Sequence, residues 1–81
     1  MTSSSEIAQR DVVKRIEELG ADQPVRVLFR FHAAFYFLLR DNPHFDGWLA
    51  LINESKEQGV SLQFTYKYSD QSITSLARAS Q

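Results

Sequence analysis

Between Val25 and Leu39 the chain alternates. Val25, Val27, Phe29, Phe31, Ala33, Phe35, Phe37 and Leu39 are apolar at every odd position, while Arg26, Leu28, Arg30, His32, Ala34, Tyr36 and Leu38 mix polar and apolar at the even ones. A repeat of two residues is the mark of a strand with one buried face. Four of the six phenylalanines stand on the odd side, and full burial of each contributes roughly 1.5–3 kcal/mol. The pattern therefore predicts the odd face as the core. As a single strand the stretch would reach about 50 Å at about 3.3 Å per residue, well beyond the usual length. Two strands meeting in a turn at His32–Ala34 are the alternative, but no Gly, Asn, Asp or Pro supplies turn chemistry there. Val27, Phe31, Ala34, Phe35 and Leu38 also fit helical spacing. The density of aromatic and β-branched residues favours one long, bent strand.

The flanking segments show other periods. Residues 1–4 read as a flexible lead-in, and Ser3 with Glu6 fits a capping box. A helix over residues 5–19 follows from the stripe Ala8, Val12, Val13, Ile16 and Leu19, with Asp11–Arg15 and Lys14–Glu18 as pairs of opposite sign four residues apart. Gly20 closes it. Pro43 marks a stop, and a second helix is predicted over residues 45–58, capped by Asn42 or Asp46 and ended by Gly59. Phe45, Trp48, Leu49 and Ile52 make its inward stripe. Val60, Leu62, Phe64, Tyr66 and Tyr68 then alternate as a half-buried strand, and Ile73–Ala79 fits an edge strand or a short helix. The expected fold is α+β, one small domain over residues 1–81. Two helices would pack on a small, mainly antiparallel sheet in the order helix, long strand or hairpin, helix, strand, weak last element.

The composition narrows the chemistry. With no cysteine, a disulfide framework and a thiolate metal site are both excluded. A formal charge of −1 argues against attraction of the whole molecule to nucleic acid or an anionic membrane. The longest apolar run without a charge or histidine is Ala33–Leu39, far short of a spanning helix. The first ten residues lack the profile of a signal peptide, which reads as a cytoplasmic protein. The two histidines are His32, within the long alternating stretch, and His44, near Asp41 and Asp46. The latter three lack the spacing of a zinc or calcium site and are explained by turn chemistry. No nucleophile elbow, phosphate loop or dinucleotide fingerprint occurs. The reading is of no enzyme, no metal and no cofactor.

The most unusual surface lies on the even side of the long stretch. No acidic residue stands between Asp22 and Asp41, and Arg26, Arg30, His32, Tyr36 and Arg40 would project together, with Lys67 from the later strand. Arginine and tyrosine are enriched at protein interfaces, and Leu28 and Leu38 on that side favour a protein partner. So long a strand also has more backbone groups than one neighbour satisfies. The expectation is a non-enzymatic protein-interaction module, homodimeric through strand pairing near Phe31, Ala33, Ala34 and Phe35. Its partners would be a second copy and another protein. The alternative is a small-ligand or single-stranded nucleic-acid binder using Arg26, Arg30, Tyr36 and Lys67, with nucleic acid disfavoured by the net charge.

Phe35–Leu39, the Asp41-Asn42-Pro43 turn, the helix from Phe45 and the run Gly59–Phe64 together resemble the strand–helix–strand segment of small OB-like B subunits of bacterial toxins. The resemblance covers the C-terminal half and rests on element order. Those subunits form rings and bind glycans; no glycan-binding residue carries over, so the resemblance implies shared architecture alone.

Overall fold

The computed structural model describes residues 6–79, so the lead-in and the Ser3 end of the capping box lie outside it. Its elements are β1 (Glu6–Asp11), β2 (Val13–Glu18), β3 (Val25–Phe29), β4 (Phe35–Leu38), α1 (Phe45–Gln58), β5 (Leu62–Lys67) and β6 (Ile73–Arg78). The α+β expectation of two helices on one small sheet is overturned. Among the described residues there are one helix and two three-stranded antiparallel sheets, β1-β5-β6 and β2-β3-β4.

The predicted N-terminal helix is a bent strand. β1 pairs along its length with β5, from Glu6 opposite Lys67 to Asp11 opposite Leu62, and β2 pairs with β3. Val12, Val13 and Ile16 are β-branched and favour extended backbone. A bulge between Val13 and Arg15 shifts the register, which hides the alternation and leaves a stripe that mimics helical spacing. The charges expected to pair along a helix pair in the sheet instead. Arg15 meets Glu17 at 3.2 Å, and Arg26 reaches Glu17 from β3 at 3.5 Å.

The long strand is likewise two strands. β3 and β4 are antiparallel, with Val25 opposite Leu38, Arg26 opposite Phe37, Val27 opposite Tyr36 and Leu28 opposite Phe35. Residues directly opposite share a face, so an odd inward position on β3 meets an even inward position on β4. Val25, Val27 and Phe29 are buried, and so are Tyr36 and Leu38, while Phe35 and Phe37 are only partly covered and Phe31 is 83% exposed. The odd-face core thus holds for β3 and inverts for β4.

A parallel bridge between Phe37 and Ser72 joins the two sheets, with the Phe37 amide donating to the Gln71 carbonyl at 3.0 Å. Gln71 sits at φ 60 to make that contact. Counting β1 and β2 as one bent strand, the circuit closes as a five-stranded Greek-key barrel with the helix between its third and fourth strands, the order of the OB barrel. Phe29 stacks on Phe64 at 4.2 Å, and Tyr36 meets both edge-on. α1 packs against β2, β5 and β6. It begins and ends where the sequence predicts, with Gly59 left-handed at φ 71 and Ile52 fully buried. His44 occupies the N-cap, its amide donating to the Asn42 side chain at 2.8 Å. The buried Ser55 hydroxyl fastens the helix to the barrel, donating to the Val60 carbonyl at 2.6 Å and accepting from the Val13 amide at 2.9 Å. Ile73–Arg78 is a strand, paired with β5.

Candidate functional site

Two features stand at opposite ends of the β3–β4 hairpin. At its tip, residues 30–34 are held by Asp11, whose side chain is fully buried at the bend between β1 and β2. One carboxylate oxygen accepts from the Val12 amide at 2.6 Å; the other accepts from the Phe31 amide at 2.9 Å and faces His32 Nδ1 at 2.5 Å. Burying a carboxylate is costly unless such donors surround it. The Arg30 amide donates to the Val12 carbonyl at 2.9 Å, and His32 Nε2 lies 3.1 Å from Gln9 Oε1. The loop is therefore fixed while Phe31 projects into solvent. Exposed Lys14 and Arg30 flank it, beside an open recess of about 450 Å³ that Leu28 and Phe35 also line.

At the base, the β2–β3 and β5–β6 connections converge on the start of β3 and the end of β4. Pro24, Phe37 and Leu39 floor a recess of about 250 Å³ beside Asp70 and Ser72, and an adjoining one of about 300 Å³ adds Asp22 and Asp41. Asp22, Asp41 and Asp70 are exposed, so carboxylates rim an apolar floor. Asp70 Oδ1 accepts from the Ser72 amide at 3.0 Å and the Ser72 hydroxyl at 2.8 Å. These bonds, chiefly the backbone one, hold its carboxyl below the ordinary range, so it stays ionised. Two cations stand near this rim: Lys67 also favours the ionised Asp70, and Arg40 is engaged. Its Nε donates to the Gln23 carbonyl at 2.7 Å, it lies 3.4 Å from Glu18, and its guanidinium sits over Phe45.

The structure scatters the residues that the sequence grouped on one even face. Arg26 points outward from β3, over the Phe35 ring and beside Glu17. Tyr36 is 3% exposed in the core, where burial and then the Tyr66 hydroxyl push its pKa from 10.0 up to about 12. Arg30 and His32 belong to the tip, Arg40 to the base, and exposed Lys67 ends β5 in the other sheet. Phe31, Ala33 and Ala34 lie in or beside the turn, and Phe35 opens β4. Strand pairing across Ala33 and Ala34 thereby loses its premise, because β3 is paired on both sides by β2 and β4. His44 stacks on Trp48 at 5.1 Å, and among the described residues no three His, Asp or Glu gather as metal ligands. No helix is long and apolar enough to cross a membrane, among those described.

Sequence reasoning missed Asp11, Gln9, Asp22, Pro24, Phe37, Leu39 and Asp70. The absence of acids between Asp22 and Asp41 was the visible signal, since those two residues bound the hairpin and sit together at its base.

No family model and no curated protein matches the chain. Two solved structures share its fold. Over 95% of this chain it is similar to the crystal structure of pro-protein-glutaminase, at 17% identity and a TM-score of 0.78. Over 88% it is similar to a mutant of that proenzyme, at 15% identity and a TM-score of 0.75. The chain spans only about a quarter of each, 27% and 24%. These neighbours are portions of an enzyme precursor, not toxin B subunits, and what the chain shares with them is the fold.

Proposed function

We propose that this chain is a non-enzymatic protein-interaction module whose base recess receives an apolar side chain flanked by basic residues on a partner protein. The observation that carries the reading is the pairing of a Pro24–Phe37–Leu39 floor with the Asp22, Asp41 and Asp70 rim. The recess lies where OB barrels customarily bind ligands, on the second and third strands between the two flanking loops. Its exposed carboxylates support a protein partner over a nucleic acid. Carboxylates repel a phosphate backbone, and the arginines of the nucleic-acid alternative do not converge on it.

The arrangement around His32 orders the tip loop, as a preformed binding element requires. Both ring nitrogens are engaged, one by Asp11 and the other by the Gln9 amide. That the same fold forms about a quarter of a larger proenzyme agrees with a unit that works against other protein surface.

A titration of dilute, isotope-labelled protein tests the reading. A short peptide with a central phenylalanine between arginines is expected to shift the amides of Phe37, Leu39 and Ser72, and its glutamate-flanked counterpart to leave them unchanged. Equal response to both peptides, or shifts produced instead by a mixed oligonucleotide, would overturn it.

A further inference from the structure

We infer that the natural occupant of the base recess is the hairpin tip of a second copy of this chain, so that the molecules associate head to tail. The inference rests on the reading of the base as a protein-binding recess and adds the identity of its partner. The tip carries what the recess lacks. Phe31 is the most exposed large hydrophobic residue among those described, and Lys14 and Arg30 stand beside it. The recess has an apolar floor and three exposed carboxylates. An aromatic anchor entering a pocket, with opposite charges around it, is the usual composition of an interface centre.

The tip is also built to be presented. A fully buried carboxylate clamps the loop through the Phe31 amide and the His32 imidazole, while its other oxygen accepts from the Val12 amide at the bend. A loop serving only to connect two strands has no need of that, whereas a preformed anchor loses less freedom on docking. Nor can a tip fill its own recess. The two lie at opposite ends of a hairpin whose five-residue β3 alone spans about 17 Å at about 3.3 Å per residue. The contact must be intermolecular. Because it joins two different patches, it is heterologous, and an open assembly keeps one free tip at one end and one free recess at the other until a ring closes.

Sedimentation equilibrium on the full chain tests this. The parent is expected to associate beyond a monomer between micromolar and millimolar concentration, and to lose association as salt rises. Phe31→Ala at the tip and Leu39→Lys at the base should each weaken it about tenfold or more, with unchanged circular dichroism. Asp22→Lys, on an exposed loop, serves as a second base variant. The decisive step mixes a tip variant with a base variant. The mixture keeps one good recess and one good tip, so it should form a 1:1 heterodimer and grow no further. A parent that stays monomeric, single variants that associate like the parent, or a mixture that stays monomeric would each overturn the second-copy assignment. If the parent stays monomeric while the arginine-flanked peptide still marks Phe37 and Leu39, only the partner's identity falls. If the peptide marks nothing, the recess reading falls with it.

Discussion

The two ends of the β3–β4 hairpin use carboxylates in opposite ways. At the tip a single one, Asp11, is withdrawn from water and spends its oxygens on two amides and an imidazole. At the base three remain in water, around an apolar floor. The first use fixes shape, because a buried charge tolerates only the geometry that satisfies it. The second leaves charge available to a partner and contributes little to the fold. The difference teaches which acids to expect under selection for stability and which for recognition, and substitution separates the two.

The largest effect belongs to the tip. Asp11→Ala leaves two amides and the imidazole without their acceptor, and chemical denaturation should show a loss of about 1–3 kcal/mol for each buried donor left unsatisfied. Asp22→Asn at the base should stay within about 0.5 kcal/mol of the parent. Similar losses at both positions would erase the distinction between the ends.

A smaller effect comes from the middle of the hairpin. The Tyr36 pKa, raised to about 12 by burial and by Tyr66, means that the folded state holds this proton more tightly than the unfolded chain. Its contribution is fully present below about pH 10 and is lost as pH rises through about 12. Tyr36→Phe should flatten that part of the stability curve, and a slope equal to the parent's would contradict the burial assigned to Tyr36. The smallest effect is at the base and has the opposite sign. The Asp70 carboxyl titrates below its ordinary value, so its contribution is present above the usual carboxylate range and is lost as pH falls beneath it. Asp70→Asn should remove that acid dependence and leave the alkaline limb unchanged.

What was legible in the sequence follows from how local each signal is. α1 could be read because Pro43, Gly59 and the stripe through Phe45, Trp48, Leu49 and Ile52 all act within one segment. β5 could be read because Leu62, Phe64 and Tyr66 alternate without interruption. The bent first strand could not, since its bulge at Lys14 breaks the period of two and Val13 and Ile16 then sit three residues apart. The hairpin was hidden because Tyr36 and Leu38 are as apolar as Phe35 and Phe37. Only the pairing of Val27 with Tyr36 reveals which of them turn inward. The site was the least legible part. Asp11 meets Phe31 and His32 across 20 and 21 residues, and no local pattern marks an acid as buried. The base recess likewise joins residues near 22, 39 and 70, which only the closed barrel brings together.

The most direct test of the head-to-tail account is distance across the contact. The chain has no cysteine, so Ala33→Cys, at an exposed tip position, takes a single nitroxide label. Labelled protein is mixed with an isotope-labelled copy that carries no nitroxide, and the loss of amide signals is recorded. The account predicts that Phe37, Leu39 and Ser72 at the base lose most intensity, that the observed copy's own tip at the far end of the hairpin loses least, and that Leu39→Lys in the observed copy restores the signals. Uniform loss across the surface, or loss centred on the tip of the observed copy, would contradict it.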